Sequence, residues 1–261
     1  MEIKIYQIDA FADQKFSGNP AAICLLEEPI EKNLMQLIAA ENNLSETAFI
    51  VKKSGRYDIR WFTPTTEVPL CGHATLAAAY VLLNVIQIPD EKIIFDTREK
   101  GELIVTRYGD ALKMTLPAEL DAKKENPPTE LIEALKVNIC EYYSGDFLMA
   151  ILDSYEKVRD LKPDLNLIAK IHGGGVIVTS RGQEFDFVSR VFCPGAGIPE
   201  DPVTGSAHCM LTPYWSKILG KSELSVKQIS ARGGKLKCIM DEDKVHLIGT
   251  AVLYMTGKVI L

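Results

Sequence analysis

The sequence lacks the features that mark several large classes of protein. No stretch of apolar residues is long enough to span a bilayer as a helix. No basic segment precedes a long apolar run at the N-terminus. The formal net charge is -6, so the chain has no excess of basic residues with which to hold nucleic acid or an anionic membrane surface. We therefore expect a cytoplasmic protein that binds neither nucleic acid nor membranes.

Cysteine and glycine do not form the familiar metal and nucleotide motifs. The six cysteines include no C-x-x-C pair, which argues against a zinc ribbon and against a disulfide framework. The sequence also has no G-x-x-x-x-G-K-[ST] loop and no G-x-G-x-x-G between a strand and a helix. The run Gly173-Gly174-Gly175 is typical of a turn. We expect reduced thiols, no metal and no nucleotide, flavin or nicotinamide cofactor.

Short apolar segments separated by turn residues fill the chain. Strand and helix patterns alternate irregularly, without the strict βαβα order of a parallel sheet, and this mixture predicts an α+β fold. The predicted strands are residues 2–10, 20–26, 48–51, 57–62, 92–96, 102–107, 111–116, 147–152, 175–179 and 185–192, and the predicted helices lie near residues 34–38, 74–85, 129–135 and 206–218.

A polar, charged and proline-bearing segment at residues 121–130 has the composition of a linker. It predicts an N-terminal αβ domain over residues 1–120 and a C-terminal αβ domain over residues 128–261. The C-terminal strand could also return to the first domain, and the sequence leaves that open.

The two halves of the chain share one motif. The pattern R-x-F-x-P occurs at residues 60–64 and again at residues 190–194. The first copy leads to Gly72 and an apolar helix, and the second leads to Gly205 and another helix. Both copies read as strand, loop, glycine and helix, which indicates two pseudo-equivalent halves.

Gly72 and Gly205 each predict a binding site for a negatively charged group. The first N–H groups of a helix have no partner within it, and the helix dipole adds partial positive charge there. A glycine lets a ligand approach that backbone closely. Gly72 and Gly205 therefore predict contacts with a small anionic metabolite, and His73 and Ser206 occupy equivalent places beside them.

The sequence resembles the PhzF-like family, which is named for a phenazine-biosynthesis isomerase and is related in fold to diaminopimelate epimerase. The resemblance covers nearly the whole chain and rests on short motifs in the expected order. These motifs are Asp9-Ala10-Phe11, Gly18-Asn19-Pro20-Ala21, Asn43-Leu44-Ser45-Glu46-Thr47-Ala48-Phe49, Arg60-Trp61-Phe62-Thr63-Pro64, Cys71-Gly72-His73-Ala74-Thr75-Leu76-Ala77 and Glu200-Asp201-Pro202-Val203-Thr204-Gly205-Ser206-Ala207.

The resemblance implies a fold, an assembly and a set of site residues. It implies two pseudo-symmetric αβ domains, each a mixed sheet wrapped around a central helix, with the active site in the cleft between them. It also implies a homodimer. By likeness to the family, Glu46 would transfer the proton, with support from His73, Asp201 and Ser206, and the substrate would contact Asn19, Gly72 and Gly205.

A single glutamate suits an isomerase that needs no cofactor. Its carboxyl group can remove a proton from one carbon and return it to another on the same face of the substrate. No cofactor is needed if the intermediate carbanion is delocalised. We therefore expect Glu46 to catalyse isomerisation of a small carboxylate-bearing metabolite.

Two alternatives stay open at this point. Epimerases of the related fold use two cysteines, and Cys71 resembles the first of them. Matching Gly72 with Gly205 puts Thr204 opposite Cys71, so the second thiol is missing. The other alternative is a protein that binds a small anion without catalysis. We expect His208 to face away from the ligand in either case.

Overall fold

Strands form most of the regular structure in residues 1–171 and 175–261, the ranges that the computed structural model describes. His172 and the first two glycines of the predicted turn, Gly173 and Gly174, lie outside these ranges. In chain order the strands are β1 (Glu2–Ala10), β2 (Asn19–Leu26), β3 (Glu46–Lys53), β4 (Arg56–Phe62), β5 (Glu67–Val68), β6 (Lys92–Asp96), β7 (Glu102–Tyr108), β8 (Ala111–Pro117), β9 (Lys123–Glu125), β10 (Glu141–Ser144), β11 (Leu148–Ile151), β12 (Val176–Arg181), β13 (Phe187–Cys193), β14 (Ile198–Asp201), β15 (Glu223–Gln228), β16 (Gly234–Asp241), β17 (Lys244–Gly249) and β18 (Ala251–Ile260).

Helices separate some of these strands. They are α1 (Lys32–Asn42), α2 (Gly72–Tyr80), α3 (Thr129–Leu135), α4 (Tyr155–Arg159), α5 (Leu165–Ile168) and α6 (His208–Leu219). A π-helical segment, Val81–Val85, continues α2, and a short 3-10 turn, Pro194–Ala196, follows β13. The predicted α+β class is confirmed. Within the described ranges no helix has both the length and the apolar character that crossing a membrane requires.

The chain divides into two compact units. The first comprises Met1–Thr115 together with Ile248–Leu261, and the second comprises Leu116–Leu247. The segment expected as a linker contains β9, which pairs with β10 of the second unit. The C-terminal residues join the first unit because β18 pairs antiparallel with β1 from Ala251 to Ile260.

A mixed sheet forms the first unit. Antiparallel pairs join β18 to β1, β1 to β2, and β3 to β4. The pairings of β2 with β3 and of β4 with β6 are parallel, and β6, β7 and β8 form an antiparallel meander.

Both faces of this sheet are covered, which is why β2 and β3 are apolar along most of their length. Helix α2 packs against β1, β2 and β3, and its residues from Gly72 to Ala79 are all buried. Helix α1 covers the other face, where Met35 and Ile38 pack in one cluster with Phe49 and Phe62. The small alanine side chains of α2 let it pack closely against the sheet as the central helix of this unit.

The second unit repeats this plan. Strands β10 and β11 are antiparallel, β11 and β12 are parallel, and β12 and β13 are antiparallel. Strand β13 is then parallel to β15, which is antiparallel to β16. Helices α3, α4 and α5 pack on one face through an apolar cluster that includes Leu131, Val158 and Ile168. Helix α6 packs on β15 and β16, and the Trp215 indole donates a 2.9 Å hydrogen bond to the Thr179 hydroxyl of β12.

The repeated R-x-F-x-P motif has the same structure in each unit. Arg60 on β4 makes two hydrogen bonds to Glu67 on β5, of 2.7 and 2.9 Å. Arg190 on β13 makes two bonds of the same lengths to Glu200 on β14. Each guanidinium also lies over the phenylalanine two residues later, 5.1 Å from the Phe62 ring and 5.0 Å from the Phe192 ring. The motif therefore marks a real internal repeat.

Candidate active site

A tight turn places Asn19 at the start of β2. Gly18 has a φ of 67°, and a Cβ atom there would lie 2.2 Å from the Ala10 carbonyl oxygen. Only glycine fits such a close approach. Asn19 then pairs with Ala10 across the β1–β2 ladder, and its side chain is fully buried.

Glu46 is the first residue of the neighbouring strand. Helix α1 ends at Asn42, and the next residue, Asn43, adopts the left-handed conformation and donates its N–H to the Ala39 carbonyl. The chain can then enter β3, where Glu46 lies in parallel register with Ala21 of β2. Side chains alternate along a strand, and Thr47 faces α1 through a hydrogen bond from Asn42. Glu46 therefore points to the opposite face, where α2 lies.

His73, in the first turn of α2, joins these two residues. Its Nδ1 lies 3.1 Å from the Asn19 side-chain amide nitrogen and 3.5 Å from the Cys71 thiol. Its Nε2 lies 3.1 Å from Oε2 of Glu46. All four side chains are buried. Two strands and one helix start thus bring Asn19, Glu46, Cys71 and His73 into one cluster in the first unit.

The contact between Glu46 and His73 is close but poorly aligned. Neither Oε2 of Glu46 nor Nε2 of His73 has a well-directed hydrogen-bond partner among the described residues, although both atoms are buried. Buried polar atoms in native proteins are almost always satisfied. Both atoms are therefore available to turn toward a bound substrate.

The charges in this cluster favour a protonated histidine. Burial opposes a charge on the His73 ring, whereas the Glu46 carboxylate, 3.1 Å from Nε2, favours the protonated ring and raises the pKa of His73. Nε2–H then faces the Glu46 carboxylate. The imidazolium ring can offer the same proton to an oxygen that becomes negative during a reaction.

Cys71 is held as a thiol. Burial and the nearby Glu46 carboxylate raise the pKa of Cys71 to about 11. A thiol, unlike a thiolate, is a weak base and a weak nucleophile.

The Cys71 thiol, the His73 imidazole and the Glu46 carboxylate have ligand atoms within 4.8 Å of one another. Zinc accepts this set of donor groups. A metal would have to displace the thiol proton before it could bind there.

Gly72 opens α2, as the sequence predicts. The backbone of Cys71 is extended at the N-cap position, and the Thr75 hydroxyl donates a 2.6 Å hydrogen bond to the Cys71 carbonyl. This bond braces the first turn. The partial positive charge of the helix start lies at the same place as His73, so a carboxylate bound there would meet two favourable groups.

The other predicted site residues lie together in the second unit. Asp201 ends β14 and is buried. Its carboxylate accepts a 2.5 Å hydrogen bond from the Thr204 hydroxyl. The buried Gln228 donates to the Asp201 carbonyl at 2.7 Å and accepts from the Thr204 N–H at 2.9 Å. Hydrogen bonds from the Thr204 and Gln228 side chains thus hold the segment from Asp201 to Thr204 in place.

The second glycine-led helix start differs from the first. Residues 205–207 form a tight turn, in which His208 donates its N–H to the Gly205 carbonyl and Cys209 donates to the Ser206 carbonyl. Helix α6 begins only at His208, so the predicted start at Ser206 is wrong. Gly205 and Ser206 precede the helix because this turn occupies residues 205–207, directly after Thr204, so that the first helical residue is His208.

His208 is a buried structural residue. Its Nδ1 lies 2.8 Å from the Thr204 carbonyl, which can only accept, so the proton belongs on Nδ1. Burial lowers the pKa of His208 to about 4. Thr204 is therefore fixed from two directions, by His208 and by Gln228. Neither contact was predicted from the sequence, because no motif links Gln228 to residues 201–206.

The predicted site residues form two groups in the structure. Asn19, Glu46, Gly72 and His73 belong to the first unit, and Asp201, Gly205 and Ser206 belong to the second. The expectation that both groups serve one cleft stays a prediction, as does the homodimer.

Comparison with known proteins gives consistent results. The sequence model of the phenazine biosynthesis-like protein family (PhzC-PhzF) matches residues 8–257. An uncharacterized isomerase from Pseudomonas aeruginosa is 47% identical over 260 residues, covering 98% of each chain. The crystal structure of a phenazine biosynthesis protein of the PhzF family from Enterococcus faecalis has a TM-score of 0.96 and 44% identity, covering 100% of each chain.

A more distant structure defines the fold class. A predicted epimerase from Pseudomonas aeruginosa has a TM-score of 0.79 at 19% identity and covers 99% of each chain. The repeated αβ units and this likeness define the diaminopimelate epimerase-like fold, and the 47% identical relative carries the name of an isomerase. Within that class, the chain belongs to the PhzF-like family of phenazine biosynthesis-like proteins.

Proposed function

We propose that the protein is a cofactor-independent isomerase that moves a proton between two carbons of a small carboxylate-bearing metabolite. Glu46 is the general acid and base in this proposal. The observation that supports it best is the 3.1 Å contact between two buried atoms, Oε2 of Glu46 and Nε2 of His73. A carboxylate beside a protonated imidazole is a suitable pair for removing a proton and stabilising the anion that results.

The reaction has two steps. In the first, the Glu46 carboxylate takes a proton from a carbon next to an electron-withdrawing group, and the electron pair of the C–H bond spreads into that group. His73 donates a hydrogen bond to the oxygen that becomes negative. In the second step the Glu46 carboxyl returns its proton to another carbon on the same face, and the carboxylate is restored.

The remaining site residues receive supporting roles by likeness to the family. Gly72 and Gly205 would bind the substrate through their backbones, and Asn19 would contact it directly. Asp201 and Ser206 would support the proton transfer. The positive end of α2 supports the choice of an anionic substrate, because the helix dipole favours a negative group there.

The cysteine-dependent alternative has less support. A pKa near 11 keeps Cys71 protonated at neutral pH, and a base must be deprotonated to accept a proton. In the repeated motif, Thr204 occupies the position that corresponds to Cys71, so a second thiol is missing there. Replacement of Cys71 by alanine should therefore preserve the activity, whereas a thiol mechanism requires its loss.

A metabolite screen in D2O tests the proposed function. The protein is incubated with a pool of small carboxylic acids, and each compound is followed by chromatography and mass spectrometry. The proposal predicts a compound that changes retention time without changing formula, apart from deuterium taken up at carbon. If the protein binds a compound but never converts it or exchanges its C–H protons, a binding function replaces the proposed one.

A further inference from the structure

Gln228 is a polar residue buried in the second unit. It ends β15, pairs with Ser189 of β13 and Gly234 of β16, and has an exposed fraction of 0%. A buried amide is costly unless its donors and acceptor are all satisfied. Its side chain is directed at residues 201–204, which include the proposed site residue Asp201.

The amide group can adopt only one orientation. Nε2 donates to the Asp201 carbonyl at 2.7 Å and to the Thr204 hydroxyl at 3.2 Å, and Oε1 accepts from the Thr204 N–H at 2.9 Å. If the amide were rotated by half a turn, its NH2 group would face the Thr204 N–H, which also donates. Its oxygen would face the Asp201 carbonyl oxygen, which also accepts. Both hydrogens and the oxygen of the amide are therefore used within one short loop.

The Thr204 hydroxyl links the Gln228 amide to the Asp201 carboxylate through hydrogen bonds to both groups. A hydroxyl has one hydrogen, and its oxygen already accepts from Nε2 of Gln228. The hydrogen must then point at Oδ2 of Asp201, 2.5 Å away. Gln228 thus fixes the Asp201 backbone directly and the Asp201 carboxylate through Thr204.

We propose that Gln228 is a positioning residue for the isomerase reaction, one that acts through Thr204 to hold the Asp201 carboxylate in its working orientation. This inference rests on the proposed function, in which Asp201 supports proton transfer. On this loop the Gln228 side chain contacts Asp201 and Thr204, so its effect on the reaction is indirect.

Two variants and a matched control test the proposal. Gln228→Met keeps the length of the side chain and removes its hydrogen bonds, and Thr204→Val removes only the hydroxyl. Thr179→Val is the control, because Thr179 is also buried in the second unit and its hydroxyl donates to the Val188 carbonyl at 2.7 Å. The control loses buried hydrogen bonds without touching Asp201.

The kinetic constants distinguish positioning from stability. We expect Gln228→Met and Thr204→Val to lower kcat by about 10- to 100-fold with KM within about threefold, since a misplaced group affects the transition state more than binding. Thr179→Val should leave both constants unchanged.

A measurement without substrate separates this inference from the proposed function. Hydrogen exchange of a peptide covering residues 201–206 should be faster in Gln228→Met than in the native protein and in Thr179→Val. Unchanged exchange would overturn the positioning role, as would a native kcat in both variants. A native protein that isomerises no metabolite would overturn the proposed function, while the exchange rates would still decide whether Gln228 holds the loop.

Discussion

Glu46 and His73 meet because each lies at the beginning of its own secondary-structure element. Glu46 starts β3 and His73 lies in the first turn of α2. Gly18 and the left-handed Asn43 set the entry into β2 and the end of α1. A few residues with special backbone conformations therefore decide where these two side chains lie, and the apolar residues between them support that arrangement.

His208 should make the protein less stable in acid. The unfolded chain binds a proton at an ordinary histidine pKa of about 6.5, whereas burial lowers the folded-state pKa of His208 to about 4. Between these values the unfolded state binds more protons, so the stabilisation present above pH 6.5 is lost as the pH falls toward 4.

Urea denaturation of the native protein and of His208→Asn, measured from pH 7 to pH 4.5, checks this expectation. The asparagine cannot titrate in this range. The stability advantage of the native protein over the variant should shrink by about 2–3 kcal/mol across the series. An advantage that stays constant would mean that His208 is not buried as a neutral ring.

The contacts of single residues were the least predictable from the sequence. Glu46 and His73 could be singled out through the family motifs, because each belongs to a short run of characteristic residues. Gln228 could not, since its partners Asp201 and Thr204 lie more than twenty residues away in the chain. Such a contact depends on strand register, which no local pattern specifies.

Most strands and helices could be predicted, because they follow apolar periodicity and clear turn residues. The strand predicted at residues 92–96 and the helix predicted at residues 129–135 agree with β6 and α3. The short strand β5 was not predicted, because two residues carry no period. Strand β9 lies in a charged segment, where pairing with β10 rather than apolar burial holds it.

The two arginine–glutamate pairs should contribute similarly to stability. Glu67 and Glu200 each accept two hydrogen bonds from a largely buried arginine. Replacing either glutamate by glutamine leaves that arginine with an incomplete partner, at a cost of about 1–3 kcal/mol. Because the two pairs lie in different units, their effects should add.

Thermal or denaturant unfolding of Glu67→Gln, Glu200→Gln and the double variant measures these costs. Glu27→Gln is a suitable control, since Glu27 is exposed and follows the end of β2. A negligible cost for one pair and a large cost for the other would argue against their structural equivalence.

At the scale of the whole molecule, the last strand ties the end of the chain to its beginning. Strand β18 pairs with β1 along its length, and Met1 and Leu261 are joined through their backbones. A composition break can indicate a boundary such as residues 121–130, but it cannot show that a distant strand returns. That return depends on long-range pairing, which the sequence left open.

Removal of residues 251–261 should therefore weaken the first unit more than the second. Hydrogen exchange followed by mass spectrometry is the appropriate measurement. Peptides from β1 and α2 should lose protection, because the truncation exposes β1 as a new edge strand. Peptides from β12 and β13 should keep theirs. Equal loss in both sets would show that the two units do not differ in their dependence on β18.

The turnover of Glu46→Gln tests the central claim most directly. Glutamine preserves the size of the side chain but cannot accept and return a proton. With the substrate found in the screen, kcat should fall by about 10²- to 10⁴-fold, while calorimetry should show that the substrate still binds. Glu41→Gln, an exposed change on α1, should keep the native rate. A Glu46→Gln protein that turns over at the native rate would contradict the account.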